Sequence, residues 1–305
     1  MKLIPNKWAL CIGVVLLLAG GPLAESAQEE FQSPPTAGNL RARDAVAAPH
    51  IGAGDLQPGQ TQGMMARTQS ERPSASLPDF RVFGDVSTKK SRFFDYLLPL
   101  VQAENVRLTA IRKRLSYIYD HVRWHRQIDE ADQQWLALVS QEFRLPTTDS
   151  SRTEFWVSIF QRVDAVPEEL ALAQAANESA WGTSRFAREG NNLFGQWCFR
   201  QGCGMVPAGR PAGATYEVAR YDSVSESIGS YMHNLNTGRT YQLLREIRSR
   251  MRIEGQAPAA TELAAGLRDY SERGIDYVNE LRAMIRHNSG VIDEVRQRGE
   301  SEGSG

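Results

Sequence analysis

Apolar side chains recur every three or four positions from residue 89 to residue 145, a period that predicts helices. Phe93, Phe94, Leu97, Leu98, Leu100 and Val101 share one face, and Val106, Ile111, Leu115, Ile118 and Val122 continue it. Trp135, Leu136 and Val139 repeat the pattern until Pro146 stops it. Arg107, Arg112, Lys113 and Arg114 lie among these positions and read as a solvated face, with contact to anionic wall polymer or lipid headgroups as the alternative use. Residues 153–288 read as two helices, a strand-rich loop with a strand over 215–221, and three further helices. No repeat and no parallel βαβ series is visible. The expectation is a mainly α fold with a small β-hairpin.

Both ends depart from this pattern. Lys2 and Lys7 precede an apolar run over residues 8–19, and Gly20, Gly21 and Pro22 break it before the small residues Ala24 and Ser26. That order predicts an export signal over residues 1–26. The run is shorter than the roughly 20 apolar residues of a membrane span, so cleavage is the first reading and an uncleaved inner-membrane anchor the second. Residues 27–85 are rich in Gln, Ser, Pro, Gly and Ala and read as a disordered linker, which cannot bury enough surface to offset its ordering entropy. The layout expected from the pattern is signal 1–26, linker 27–85, helical region 86–150, a chemistry-bearing domain 151–290 and a disordered tail 291–305.

Charge and cysteine count narrow the class. The net charge is −1, without the basic excess of a nucleic-acid binder, so no nucleic-acid partner is expected. Past the signal, Cys198 and Cys203 form an even pair in an exported chain, a disulfide candidate closing a small loop, with two free thiols as the alternative. No His lies near them to complete a zinc set. His121 and His125 stand four apart without the Glu of a metalloprotease helix and read as surface residues. No metal and no cofactor is expected.

The chemistry concentrates on residues 166–182. Pro167 suits a first helical position, Glu168 and Glu169 suit the positive end of the dipole, and Gly182 suits a stop. Glu178 falls in the last turn, where the dipole disfavours a carboxylate, and sits among Ala175, Ala180 and Trp181. Both effects raise its pKa. A carboxyl that keeps its proton near neutral pH is what glycoside cleavage needs for leaving-group protonation. The plain alternative is a surface Glu near a helix end, paired with Arg185.

The words around Glu178 decide between these. Asn177-Glu178-Ser179-Ala180-Trp181-Gly182 followed by Asn192-Leu193-Phe194-Gly195 resembles the ExSxWG…NLFG signature of the bacterial endo-β-N-acetylglucosaminidases, family 73 of the glycoside hydrolases. Tyr221-Asp222-Ser223 through Glu226 and Tyr270-Ser271-Glu272-Arg273 resemble later segments of that family in the same order, so the resemblance spans residues 153–289. It implies a lysozyme-like α+β domain, peptidoglycan glycan strands as substrate and Glu178 as general acid. It also implies that Tyr270 orients the substrate's acetamido group, with a buried helix-end aromatic as the alternative; Tyr277 reads as packing between helices. Asn192, Phe194 and Gly195 are expected to shape the cleft floor, Asn192 either by orienting a loop or by binding sugar hydroxyls. Trp181 and Trp197 offer flat faces for sugar stacking, with a core role for one of them as the alternative.

One part of the family pattern is absent. The family often places a second Glu on the hairpin after NLFG, yet residues 195–215 hold no Asp or Glu. Glu217 is the nearest substitute, facing either the cleft beside Tyr221 or water. Glu226 reads as the second half of a capping box opened by Ser223. The functional expectation is a periplasmic or envelope endo-β-N-acetylglucosaminidase. A muramidase or lytic transglycosylase on the same polymer, and a wall-binding module without activity, remain the alternatives.

Overall fold

The computed structural model describes residues 77–124, 127–145, 149–211 and 213–302. The expected signal and the linker up to residue 76 lie outside them. The last linker residues do not. A short 3-10 turn over Phe80–Val82 precedes the first helix, and Phe80 is buried. Phe80 packs edge-on against Phe93, 5.3 Å between centroids, and rests on Gly182. The linker expectation therefore ends before Leu77, because an aromatic ring finds a core position there.

Helix α1 runs over Val86–Arg123, capped by the Asp85 carboxylate, which accepts from the Thr88 amide. Its buried positions Phe93, Phe94, Leu97, Leu98, Val101, Leu108, Ile111, Leu115 and Ile118 follow the helical period. Helices α2 (Glu130–Glu142) and α3 (Thr153–Arg162) come next. The arginines read as a solvated face are instead clamps. Arg107 joins Glu104 of α1 to Glu142 of α2. Arg112 donates to the Phe160 and Val163 carbonyls at the end of α3. Arg114 pairs with Asp132 and lies over the Trp135 ring. Lys113 alone of the four is exposed. Orphan carbonyls at a helix end need donors, and long guanidinium side chains supply them across the helix gap.

Helix α4 (Glu168–Ser179) is buried from Leu170 to Ala176. Its small alanines let neighbours approach from all sides, which is how a helix without a polar face survives in a core. Pro167 is its N-cap rather than its first residue. The short helix α5 (Arg185–Gly190) follows, then a three-stranded antiparallel sheet in the order β1-β3-β2, with β1 Trp197–Cys198, β2 Gly204–Met205 and β3 Glu217–Ala219. The strand expected over 215–221 is thus present but shorter. Gly204 is obligatory in β2, since a Cβ there would stand 2.0 Å from the Val218 carbonyl oxygen. Helices α6 (Val224–Thr237), α7 (Gln242–Ile253) and α8 (Ala260–Leu263) lead through a 3-10 segment, Ala264–Tyr270, to α9 (Ile275–Glu302).

The expected capping box is present in shifted form, its Glu reaching the residue before the Ser223 N-cap. The Glu226 amide donates to Ser223 Oγ, and the Glu226 carboxylate accepts from the Asp222 amide. The tail expected from residue 291 is instead helical to Glu302. Ile292 and Val295 are buried, and Arg296 reaches Glu168 and Glu169 in the first turn of α4. A hydrophobic pair in register with the core, plus ion pairs to a helix N-terminus, holds a segment that looks polar in isolation.

The predicted helical region and the chemistry-bearing domain share one core. A continuous cluster of buried apolar residues runs from Phe80 to Val295. Asn105 on α1 donates to the Val166 carbonyl and accepts from the Val166 amide, pinning the approach to α4. Asp164 lies buried among Arg112, Arg248 and Arg252 from α1 and α7. Burial works against its ionised form, but the three guanidinium groups outweigh that and hold its pKa below the ordinary value. The architecture is mainly helical with a small antiparallel sheet, as expected. No helix of the described residues is long and apolar enough to cross a membrane.

Candidate active site

Glu178 stands in the last turn of α4, and the chain leaves that helix through a left-handed run. Ala180, Trp181 and Gly182 all have positive φ, at 51°, 59° and 75°. The Trp181 amide donates back to the Ala176 carbonyl and the Gly182 amide to Ser179 Oγ, so the orphan groups of the helix end are used locally. Only glycine fits position 182, because a Cβ would meet the Phe80 ring at 2.6 Å. Trp181 packs edge-on against Phe93 and Phe94 at 5.5 and 5.4 Å, with Lys90 over its ring. Of its two expected uses, core packing holds: Trp181 ties α1 to the turn that presents Glu178.

The Glu178 carboxylate is part-buried. Its Oε1 accepts from Tyr277 Oη at 2.9 Å and from Asn177 Nδ2 at 3.3 Å. Burial pushes its pKa up to about 6, against the lowering effect of the Tyr277 and Asn177 hydrogen bonds; Glu280 adds to the rise and Arg273 opposes it. Glu280 and Arg273 form an ion pair of 2.6 Å beside the site. Expected pairing of Glu178 with Arg185 is not found, since Arg185 donates to the Val206 carbonyl instead.

An aromatic wall surrounds the carboxyl. Tyr277 stacks on Tyr270, 5.4 Å between centroids and 10° between planes. Tyr270 lies 6.2 Å from Tyr241, and Phe194 stacks on Tyr231 at 3.9 Å. Burial raises the pKa of Tyr231, Tyr270 and Tyr277 well above the ordinary value and that of Tyr241 to about 12, and the Glu178 charge adds to each. These hydroxyls therefore keep their protons, and those of Tyr231, Tyr270 and Tyr277 act as donors. Tyr270 donates to the Phe194 carbonyl at 2.7 Å, so the tyrosine assigned by resemblance to the substrate also braces the NLFG turn.

The rest of that turn is built around Asn192. Its Nδ2 donates to the Gln196 and Ala219 carbonyls, and its Oδ1 accepts from the Phe194 and Gln196 amides. Asn192 is buried, so of its two expected uses the loop-orienting one is the one its bonds display. Gly195 adopts φ 62° at the exit of the turn. Tyr221 meets Ser230 Oγ, which donates to Gln196 Oε1, linking α6 to the same turn. Trp197 opens β1 with 37% of its surface exposed, edge-on to Tyr216 at 4.5 Å.

Glu217 has a different setting from the cleft position considered for it. It is buried on β3, and its two oxygens accept from the Gly202 and Gly204 amides. Those amides hold its pKa below the ordinary value. The same hairpin carries the Cys198–Cys203 disulfide, as expected from the even count. The sulfurs and the Glu217 carboxylate lie within 4.8 Å of one another, but bonded sulfurs offer no thiolate to a metal.

Sequence reasoning alone does not single out Gln174, Tyr231, Tyr241 or the pair Arg273–Glu280. Gln174 has a trace in the pattern: it is the one polar residue between Leu170 and Ala176, four positions before Glu178. Tyr277 reads from sequence as a packing residue, and it packs, but its hydroxyl also reaches the acid.

Residues 157–290 match the glucosaminidase family, described as mannosyl-glycoprotein endo-beta-N-acetylglucosaminidase. The chain is 30% identical over 233 residues to the protein Bax of Escherichia coli (strain K12), covering 76% of this chain and 82% of that one. No solved structure matches. The matched stretches contain Glu178, the NLFG turn, the sheet and the tyrosine wall, and the chain belongs to the Bax/glucosaminidase family.

Proposed function

We propose that the protein is an exported peptidoglycan hydrolase that cleaves β-1,4 bonds of the glycan strand as an endo-β-N-acetylglucosaminidase, with Glu178 as general acid. The observation that carries this reading is the part-buried Glu178 carboxyl, lifted to about 6 at the open end of α4 beside an aromatic wall. In the cleavage step the Glu178 proton passes to the glycosidic oxygen. The C1–O bond breaks, its electron pair stays on that oxygen, and positive charge develops on the sugar ring.

With both Glu217 oxygens engaged by backbone amides, the capture of that charge falls to the carbonyl oxygen of the sugar's own acetamido group. The resulting cyclic cation is opened by water, whose proton returns to Glu178. Tyr270 suits the orienting role: its hydrogen is given to the Phe194 carbonyl, which leaves its oxygen as an acceptor for the acetamido N–H. Trp197 supplies a flat face for an adjoining sugar, and Phe194, Gly195, Asn192 and Tyr221 hold the turn beneath it. No cofactor enters this scheme. Export, with the N-terminal segment either cleaved or retained as an inner-membrane anchor, rests on Lys2, Lys7 and the apolar run that follows.

Product analysis on isolated sacculi tests the reading. Reducing N-acetylglucosamine ends are expected from the wild type, and none from Glu178→Gln. Anhydromuramic ends would replace the glucosaminidase by a lytic transglycosylase, a second reading favoured by the engagement of both Glu217 oxygens with backbone amides. Pelleting with intact sacculi and no released product would make the protein a binding module.

A further inference from the structure

A buried hydrogen-bond chain leads from the hydrophobic core to one oxygen of Glu178. Tyr231 Oη donates to Gln174 Oε1, Gln174 Nε2 donates to Tyr277 Oη at 3.0 Å, and Tyr277 Oη donates to Glu178 Oε1 at 2.9 Å. Gln174, Tyr231 and Tyr277 are all buried. We infer that Tyr277, locked by Gln174 and Tyr231, is a positioning residue that determines which oxygen of Glu178 delivers the proton: Oε1 is held as acceptor, and Oε2 is the donating atom.

The reasoning is one of hydrogen counting. A phenol has one hydrogen. The Tyr277 oxygen already receives an N–H from Gln174, so its hydrogen points to Glu178 Oε1. Turning the Gln174 amide over would bring its N–H₂ onto the Tyr231 hydroxyl hydrogen and its oxygen onto Tyr277, so Tyr231 fixes the amide orientation. An unmet donor among these buried groups would cost about 1–3 kcal/mol. Asn177 Nδ2 brings a second donor to the same Oε1. A carboxyl proton on Oε1 would face two donor hydrogens. Oε2 receives no hydrogen bond from any described residue, so the proton resides there.

The chain is held from both sides by rings. Tyr277 is stacked on Tyr270 and Tyr231 on Phe194, so the NLFG turn and the acid are mechanically joined. The ionisable groups that face Glu178 are Arg273 from the turn before α9 and Glu280 within it, paired with each other, and Tyr231, Tyr241, Tyr270 and Tyr277, which stay neutral. The inference rests on the reading of Glu178 as general acid and goes beyond it by assigning its geometry to residues 174, 231 and 277.

The test compares full-length wild type, Glu178→Gln, Tyr277→Phe and Tyr231→Phe. Clearing of sacculi is followed across pH, and the Glu178 carboxyl is titrated directly by infrared difference against Glu178→Gln. Tyr277→Phe removes a donor to the ionised form, so Glu178 is expected to titrate higher by about half a pH unit or more. The basic limb of clearing should move with it, and the maximal rate should fall about tenfold or more through lost orientation. Tyr231→Phe frees the Gln174 amide to turn, so a smaller shift in the same direction is expected. Should Tyr277→Phe fail to fold, Tyr231→Phe decides.

A rate loss without any shift in the titration would show a merely structural Tyr277 and overturn the inference, as would wild-type behaviour of both tyrosine variants. In either case an inactive Glu178→Gln would leave the general-acid reading standing. Clearing by Glu178→Gln would sink that reading itself.

Discussion

Glu178 carries opposing demands that can be separated by pH. Its folded pKa is about 6 against an ordinary 4.5, because burial disfavours the ionised form. A raised carboxyl pKa means that stability is lost as pH climbs from the lower value through the higher one, and the gap corresponds to about 2 kcal/mol. Below pH 4 both states are protonated and no cost exists. Glu178→Gln removes the cost while its amide oxygen still accepts from Tyr277. Thermal melts are therefore expected to show the variant more stable than wild type by up to about 2 kcal/mol at pH 7–8, and equal at pH 4. Equal stability at both pH values would refute the burial argument. Glu217 is expected to behave differently: Glu217→Gln keeps one acceptor for the hairpin amides, so clearing should fall by less than about tenfold, far short of the loss at Glu178. A loss as complete as that of Glu178→Gln would make Glu217 the missing second carboxylate.

The turn after α4 shows how an element end is set by what packs on it. Three successive positive-φ residues occupy 180–182, and the last is glycine because Phe80 lies where a Cβ would be. Gly182→Ala is expected to cost about 1–3 kcal/mol, through left-handed backbone and overpacking together, and to loosen Phe80. Denaturant unfolding reads the first effect, and near-ultraviolet dichroism reads the second through Trp181. A smaller cost than for an ordinary exposed Gly→Ala change would show that the ring yields freely. The sheet is ruled by similar close contacts: Gly204 meets the Val218 carbonyl, and the Glu217 carboxylate closes the loop that the disulfide also closes.

Across the whole molecule, the N-terminal helices belong to the site's own support. Asn105 pins Val166, Arg112 caps α3, and Trp181 reaches Phe93 and Phe94. A fragment of residues 151–302 loses the apolar face of α1 and is expected not to give a cooperative melt, whereas residues 77–302 should; a cooperative melt from the shorter fragment would disprove a shared core. By itself the chain's pattern determined the helices, the capping box, the cysteine pair and the position of Glu178 in a last turn, because periodicity and local hydrogen bonding act within a few residues. Only the tertiary structure decided the rest. It turned Arg107, Arg112 and Arg114 into clamps and drew the tail into α9. It committed Glu217 to the hairpin, and it brought Tyr231, Gln174 and Tyr277 into line with Glu178. Each of these depends on a partner 13 to 128 residues away, such as Gly204 for Glu217 and Glu168 for Arg296, and no local pattern records which distant residue will fill a space or accept a hydrogen bond.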